Sequence, residues 1–114
     1  MFSSEALFVI SVAARLVELH PTTLRKYERA GFLEPSRTGG NIRLYSPEDI
    51  ARLKQIKFLV DEQGVNLAGI EIALTLTRRL RTLRTVLAHG REGKEGNREA
   101  IRLVDELLSV LGAA

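Results

Sequence analysis

Four side chains between Pro21 and Ala30 carry the strongest chemical signal in the sequence: Thr22, Arg25, Lys26 and Arg29. In a helix each residue advances by about 100°, so these four fall within an arc of about 100°, centred roughly opposite Leu24, with Tyr27 on the far side as well. One hydroxyl and three long cations then share a stripe while Leu24 turns inward. The chemistry on offer is hydrogen bonding and ion pairing: a DNA major groove admits such a helix, and Thr, Arg and Lys are side chains that bond base edges and phosphates. A charged stripe alone is what any surface helix shows, so the neighbours decide. Arg37 and Arg43 flank Gly39-Gly40-Asn41, a hairpin-tip composition that suits contact with phosphates or a minor groove, and Tyr45 adds a hydroxyl.

The elements that must hold these residues can be read along the chain. Leu7 to Ile10 is a short apolar, β-prone run giving an extended entry, and Ser11 is placed to cap a first helix over about 12–19, with Val12, Leu16 and Leu19 at helical spacing. His20-Pro21 breaks the pattern, and Pro is favoured at a first helical position because its missing N–H has no partner there. A second helix over about 21–30 follows, closed by Gly31. The helical period vanishes from Phe32 to Tyr45, where the alternating Ile42-Arg43-Leu44-Tyr45 predicts one arm of a hairpin. Ser46-Pro47-Glu48-Asp49 starts a third helix to about Glu62: a capping Ser, Pro at the first position, and acids facing the positive end of the helix dipole. Gly64 ends it, and Asn66 caps another. Two short helices, a turn between them and a hairpin behind them, in this order, make a helix-turn-helix with a wing.

Composition narrows the function class. With 114 residues, 45% of them hydrophobic, the chain can bury one compact core. It has no cysteine and only two histidines, His20 and His89, so disulfides, thiolate metal sites and a histidine cluster are all excluded, and no metal or cofactor is expected. His20 reads as a turn or cap residue. No nucleophile stands with a base, no paired carboxylates mark a cleft and no phosphate loop occurs, so an enzyme is not expected. The run from Ala6 to Val17 lacks the basic start of a signal peptide and is interrupted by Arg15, and no apolar stretch nears the roughly 20 residues of a membrane span, which points to the cytoplasm. The net charge of +3 is distributed in blocks: residues 78–98 carry +5 and residues 99–114 carry −2.

The residues also carry a family resemblance. Val12-Ala13-Ala14-Arg15, the run from His20 to Arg37, and Arg43-Leu44-Tyr45-Ser46-Pro47-Glu48-Asp49-Ile50 resemble the MerR family of bacterial regulators. Gly64-Val65-Asn66-Leu67-Ala68-Gly69-Ile70 further resembles its heat-shock repressor branch, HspR. The likeness covers about residues 7 to 75, although the wing holds fewer arginines than that branch usually carries. It implies a mostly α protein with a winged helix-turn-helix DNA-binding domain, acting as a homodimer on an inverted-repeat, double-stranded DNA operator to repress chaperone genes, with a DnaK-type chaperone as co-repressor. It places the second helix in the major groove and the wing arginines on the backbone, and with it the DNA-binding set becomes Arg15, Thr22, Thr23, Arg25, Lys26, Tyr27, Arg29, Arg37, Arg43 and Tyr45. Two other readings stand beside it: a MerR-type regulator of another stress or small-molecule response, and a coiled-coil protein-interaction module.

The C-terminal part, 76–114, is expected to follow a DNA-binding domain over 1–75 and to form the dimer. Leu76, Leu80, Leu83 and Leu87 step by four and three, a coiled-coil seam, and the same register continues to Ile101, Val104, Leu108 and Leu111. Three glycines between His89 and Asn97 cost a continuous helix about 3 kcal/mol relative to alanines. A break near 90–97 is therefore expected, with Asn97 capping a last helix. The charge blocks predict that basic and acidic helices pair antiparallel, and the expectation is that they do so between two copies of the chain.

Overall fold

The computed structural model describes residues 7–90 and 94–113. Its elements run β1 (Phe8–Val9), α1 (Ile10–Val17), α2 (Pro21–Arg29), β2 (Ser36–Arg37), β3 (Arg43–Tyr45), α3 (Pro47–Asp61), α4 (Leu67–Ala88) and α5 (Lys94–Val110). They group into two compact units, residues 1–54 and 55–114, and the division falls inside α3. It does not coincide with residue 75, because the second half of α3 supplies Ile56 and Leu59 as buried residues, and Gln55 bonds to both α4 and the end of α5.

In the first unit, α1 and α2 are joined by a tight turn in which Glu18 takes a left-handed conformation, φ 56°, and Leu19 N–H donates to the Ala14 carbonyl. Helix α1 begins two residues earlier than its sequence pattern predicts. Ser11 lies inside it rather than at its cap, which is Val9, with no side-chain capping bond. The reason is the sheet: β1 pairs antiparallel with β3, Phe8 opposite Tyr45 and Val9 opposite Leu44, and the chain turns directly from that pairing into the helix. Strand β2 pairs with the other edge of β3, giving the order β1-β3-β2. The hairpin tip is closed by Thr38, whose backbone N–H donates to Ile42 and whose hydroxyl accepts from the Gly40 and Ile42 N–H groups, with Asn41 at φ 65°. Gly31, at φ 84°, ends α2 as expected, since this conformation is cheap only for glycine. Ala13, Ala14, Val17, Leu24, Tyr27, Phe32, Leu33, Tyr45, Ile50 and Leu53 form the core of this unit.

Helix α3 opens with the reciprocal capping expected of it: Ser46 N–H donates to Asp49 Oδ2 and Asp49 N–H donates to Ser46 Oγ. In the second unit Asn66 caps α4 by accepting from Gly69 N–H. Helix α4 ends at Ala88 and α5 starts at Lys94, inside the stretch 90–97 where a break is expected; residues 91–93 lie outside the described residues. Asn97 does not cap α5, which starts three residues before it. Its Nδ2 instead donates to the Leu87 carbonyl at the end of α4.

That bond is one of a series. Asn97 meets Leu87, Asp105 meets Arg84 and Ala113 meets Arg81, so the partner's number rises as the number in α4 falls, and the helices form an antiparallel hairpin. The pairing of basic against acidic helix that the charge blocks predict between two copies is thus made within one. Val104 and Leu108, expected at a contact between chains, are already buried by it. The glycine-weakened stretch makes this possible: a chain that breaks after Ala88 can satisfy its own charge pattern by folding back.

Candidate nucleic-acid interface

Helix α2 is positioned from both ends. His20 occupies its N-cap, Nδ1 accepting from the Thr22 N–H at 3.1 Å, and Pro21 takes the first position. On the inner side Leu24 is fully buried and the Tyr27 ring packs at 6.1 Å from that of Phe32. The opposite face presents Thr22, Lys26 and Arg29 exposed, with Arg25 half-buried along its edge. Lys26 and Arg29, and Arg15 on α1, enter no ion pair among the described residues. A row of cations left without internal partners is available to an outside anion, and on a helix of this width it fits a groove lined by phosphates. Thr23 is half-buried beside them.

The wing arginines are arranged differently. Arg37 on β2 and Arg43 on β3 both bond to the carboxylate of Glu28 on α2: Arg37 Nη2 to Oε2 at 2.7 Å and Arg43 Nε to Oε1 at 2.5 Å. Each guanidinium has five N–H donors, so both retain donors for a phosphate. Glu28 had no role in the sequence reading, because its partners lie nine and fifteen residues away and no periodicity links them.

Two expected contact residues prove to belong to the core. Tyr45 is fully buried, and its hydroxyl has no hydrogen-bond partner among the described residues. Burial pushes the phenol above its ordinary pKa, the Glu28 carboxylate adds to the rise, and Arg43 and Arg25 oppose it, so that the ring sits among the charges that hold the wing. Tyr27 is buried in the same core. Neither ring presents a surface to a groove. Strand β3 lies between β1 and β2 and is packed against α1, an arrangement that the hairpin sequence alone does not reveal.

Residues 8–77, a span holding all of these groups, match the MerR HTH family of regulatory proteins. The chain belongs to the MerR family. Similar proteins include one from Streptomyces coelicolor described as heat shock protein HspR, 42% identical over 95 residues, covering 83% of this chain and 63% of that one. The HTH-type transcriptional regulator GlnR of Bacillus cereus is 41% identical over 73 residues, 64% of this chain and 56% of that one. The regulator MlrA of Escherichia coli is 38% identical over 71 residues, 61% of this chain and 29% of that one. The chain thus spans less than two thirds of the length of each of these relatives. Its MerR-type helix-turn-helix and hairpin wing are those the sequence implied, with β1 added to make a three-stranded sheet, and the named relatives are regulators of transcription or a heat shock protein rather than enzymes.

Beyond the MerR match lies most of the α4–α5 hairpin, whose surface is divided. Of the predicted seam, Leu76 and Leu83 are exposed, Leu80, Leu87, Ile101 and Leu111 are half-buried, and Val104 and Leu108 are buried. A second stripe, missed in the sequence, is exposed: Ile72, Leu76, Leu83 and Val86 fall within an arc of about 80° on α4, and Leu103, Leu107 and Val110 within about 60° on α5. In an antiparallel hairpin these flanks face the same side. The other side is charged, with Arg78, Arg81 and Arg84 on α4 and Arg98, Arg102 and Asp105 on α5. Among the described residues no cluster of His, Cys, Asp or Glu could hold a metal, and no helix is long and apolar enough to cross a membrane.

Proposed function

We propose that this MerR-family protein is a cytoplasmic, dimeric repressor of heat-shock or chaperone genes that binds an inverted-repeat operator, with α2 in the major groove and the wing on the flanking backbone. The observation that carries the DNA-binding reading is the outward row of Thr22, Arg25, Lys26 and Arg29 beside Arg37 and Arg43, on a helix-turn-helix whose inner face is packed. Thr23 and Arg15 extend this set toward the phosphates. The likeness to the Streptomyces heat shock protein supports the chaperone-gene assignment, and a DnaK-type chaperone is the proposed co-repressor.

The division of labour gives residues 1–75 to DNA and 76–114 to dimerisation. The exposed stripe of the α4–α5 hairpin supports the second assignment. Seven large apolar side chains on one face of two helices form the kind of patch that a soluble protein normally covers with a partner, and a second copy presenting the same face would make a four-helix contact.

The test uses a duplex enriched by the protein from a random-sequence pool. Arg25→Ala is expected to weaken binding to it by about 1 to 3 kcal/mol and to relax discrimination at one base position. Affinity is also expected to fall steeply with salt, as release of counterions from phosphates requires. Failure to enrich any duplex would end the DNA reading and leave the hairpin as a protein-interaction module.

A further inference from the structure

We propose that Glu28 is a positioning residue, whose single carboxylate fixes the angle between wing and recognition helix by holding one arginine from each wing strand. This rests on the DNA-binding reading above and adds a residue to it that touches no DNA.

The wing cannot hold itself. Strand β2 has two residues and β3 three, and a two-stranded hairpin of that size is marginal in water. Pairing with β1 secures β3, but β2 is an edge strand, held within the hairpin by its short ladder and by two long contacts of 3.4 Å, Ser36 Oγ to the Leu44 carbonyl and Arg37 Nη1 to the Asn41 carbonyl. Glu28 supplies what is missing. Its Oε2 takes Arg37 from β2 and its Oε1 takes Arg43 from β3, so both strands are tied to the last turn of α2 through one rigid group.

The bonds orient the arginines without exhausting them. Arg43 engages Glu28 through Nε, leaving both terminal nitrogens, while Arg37 uses Nη2 on Glu28 and makes a long 3.4 Å contact from Nη1 to the Asn41 carbonyl. The three side chains are 21–34% exposed, so the ties are partly shielded from water while the guanidinium edges still reach the surface. The charge balance points the same way. Arg37 and Arg43 meet on the two oxygens of one carboxylate, so the cations lie close together, and without Glu28 they would repel and spread.

The experiment compares wild type, Glu28→Gln and Glu28→Asp on the selected duplex and on a scrambled one, each also in an Arg37→Ala/Arg43→Ala background, with backbone amide exchange measured on the free proteins. Glu28→Gln keeps the shape and removes the charge. It is expected to lower affinity for the selected duplex about tenfold while leaving the scrambled duplex bound equally or more tightly, since a negative charge has gone. Glu28→Asp, too short to reach both arginines, is expected to fall between. Amides of residues 36–45 are expected to exchange faster in Glu28→Gln, those of α2 unchanged, and in the double-alanine background the substitution is expected to cause no further loss of affinity for the selected duplex. Tighter binding of both duplexes by Glu28→Gln would overturn the proposal, making Glu28 a competitor for the phosphates. An equal loss in the double-alanine background, or unchanged exchange in the wing, would overturn it as well. If wild type selects no duplex, the DNA reading fails, and amide exchange still decides whether Glu28 holds the wing.

Discussion

The two compact units differ in the surface they leave open. Residues 1–54 turn Leu24, Leu33, Tyr45 and Leu53 wholly inward and, among the described residues, leave Arg15, Lys26 and Arg29 outside any ion pair, while Glu28 holds Arg37 and Arg43. Leu7, Val9, Leu16 and Ile42 are exposed there, but not along one helix face. Residues 55–114 pair Arg84 with Asp105 and Arg102 with Glu99 and Glu106, and leave Ile72, Leu76, Leu83, Val86, Leu103, Leu107 and Val110 exposed in stripes along two helices. The first unit offers cations to an outside anion and the second an apolar face to a partner, and the proposed partners are therefore DNA and a second copy of the chain respectively.

The contrast breaks most completely at the apolar stripe. Leu76→Asp with Leu83→Asp is expected to give a monomer by sedimentation at micromolar concentration while circular dichroism keeps its helical signal, because both side chains are exposed in the single chain and a charge is costly only where a partner buries it. Loss of helix together with loss of the dimer would mean that the stripe serves the hairpin itself. A sedimentation profile still dimeric would assign the dimer to another surface.

A smaller effect sharpens the first unit. Tyr45→Phe removes a buried hydroxyl with no partner among the described residues, so stability is expected to hold or rise by up to about 1 kcal/mol in urea titration, with duplex affinity unchanged. A fall in affinity with stability intact would return Tyr45 to the contact surface. The sign with pH is fixed as well: the folded phenol has a raised pKa, so the stability linked to its neutral form is whole below about pH 10 and is lost as pH rises through the folded value.

The smallest expected effect lies on the charged face of the second unit. The hydrogen bond from Arg84 holds the Asp105 carboxyl below its usual range, so its contribution is present above about pH 4 and is lost as pH falls through the lower folded value. Melting temperatures of wild type and Asp105→Asn are expected to differ slightly near neutrality and to converge in acid. Both groups are exposed, and salt should narrow the gap further.

What the sequence disclosed followed from local physics. The cationic face of α2, the Ser46 and Asn66 caps, the Gly31 stop and the break after Ala88 all depend on residues within a turn or two of one another. What it concealed depended on distance. Tyr45 fits either a contact hydroxyl or a core-edge ring, because a strand of alternating residues does not say which face will be covered, and α1, more than twenty-five residues earlier, packs against this strand. Glu28 was silent for the same reason. The exposed stripe was hidden by an ambiguity of period: 76, 80, 83, 87 and 72, 76, 83, 86 both fit four-and-three spacing, and the set composed only of leucines drew attention from the mixed one.

The apolar face that one hairpin cannot cover has a consequence for dosage. If the DNA-binding species is a pair, then well below the concentration at which pairs form their number grows as the square of the number of chains, so a twofold fall in chain abundance removes about three quarters of them. Occupancy of an inverted repeat would then drop more sharply than the supply of protein, and anything that occupied one hairpin face would withdraw two recognition helices from the operator at once.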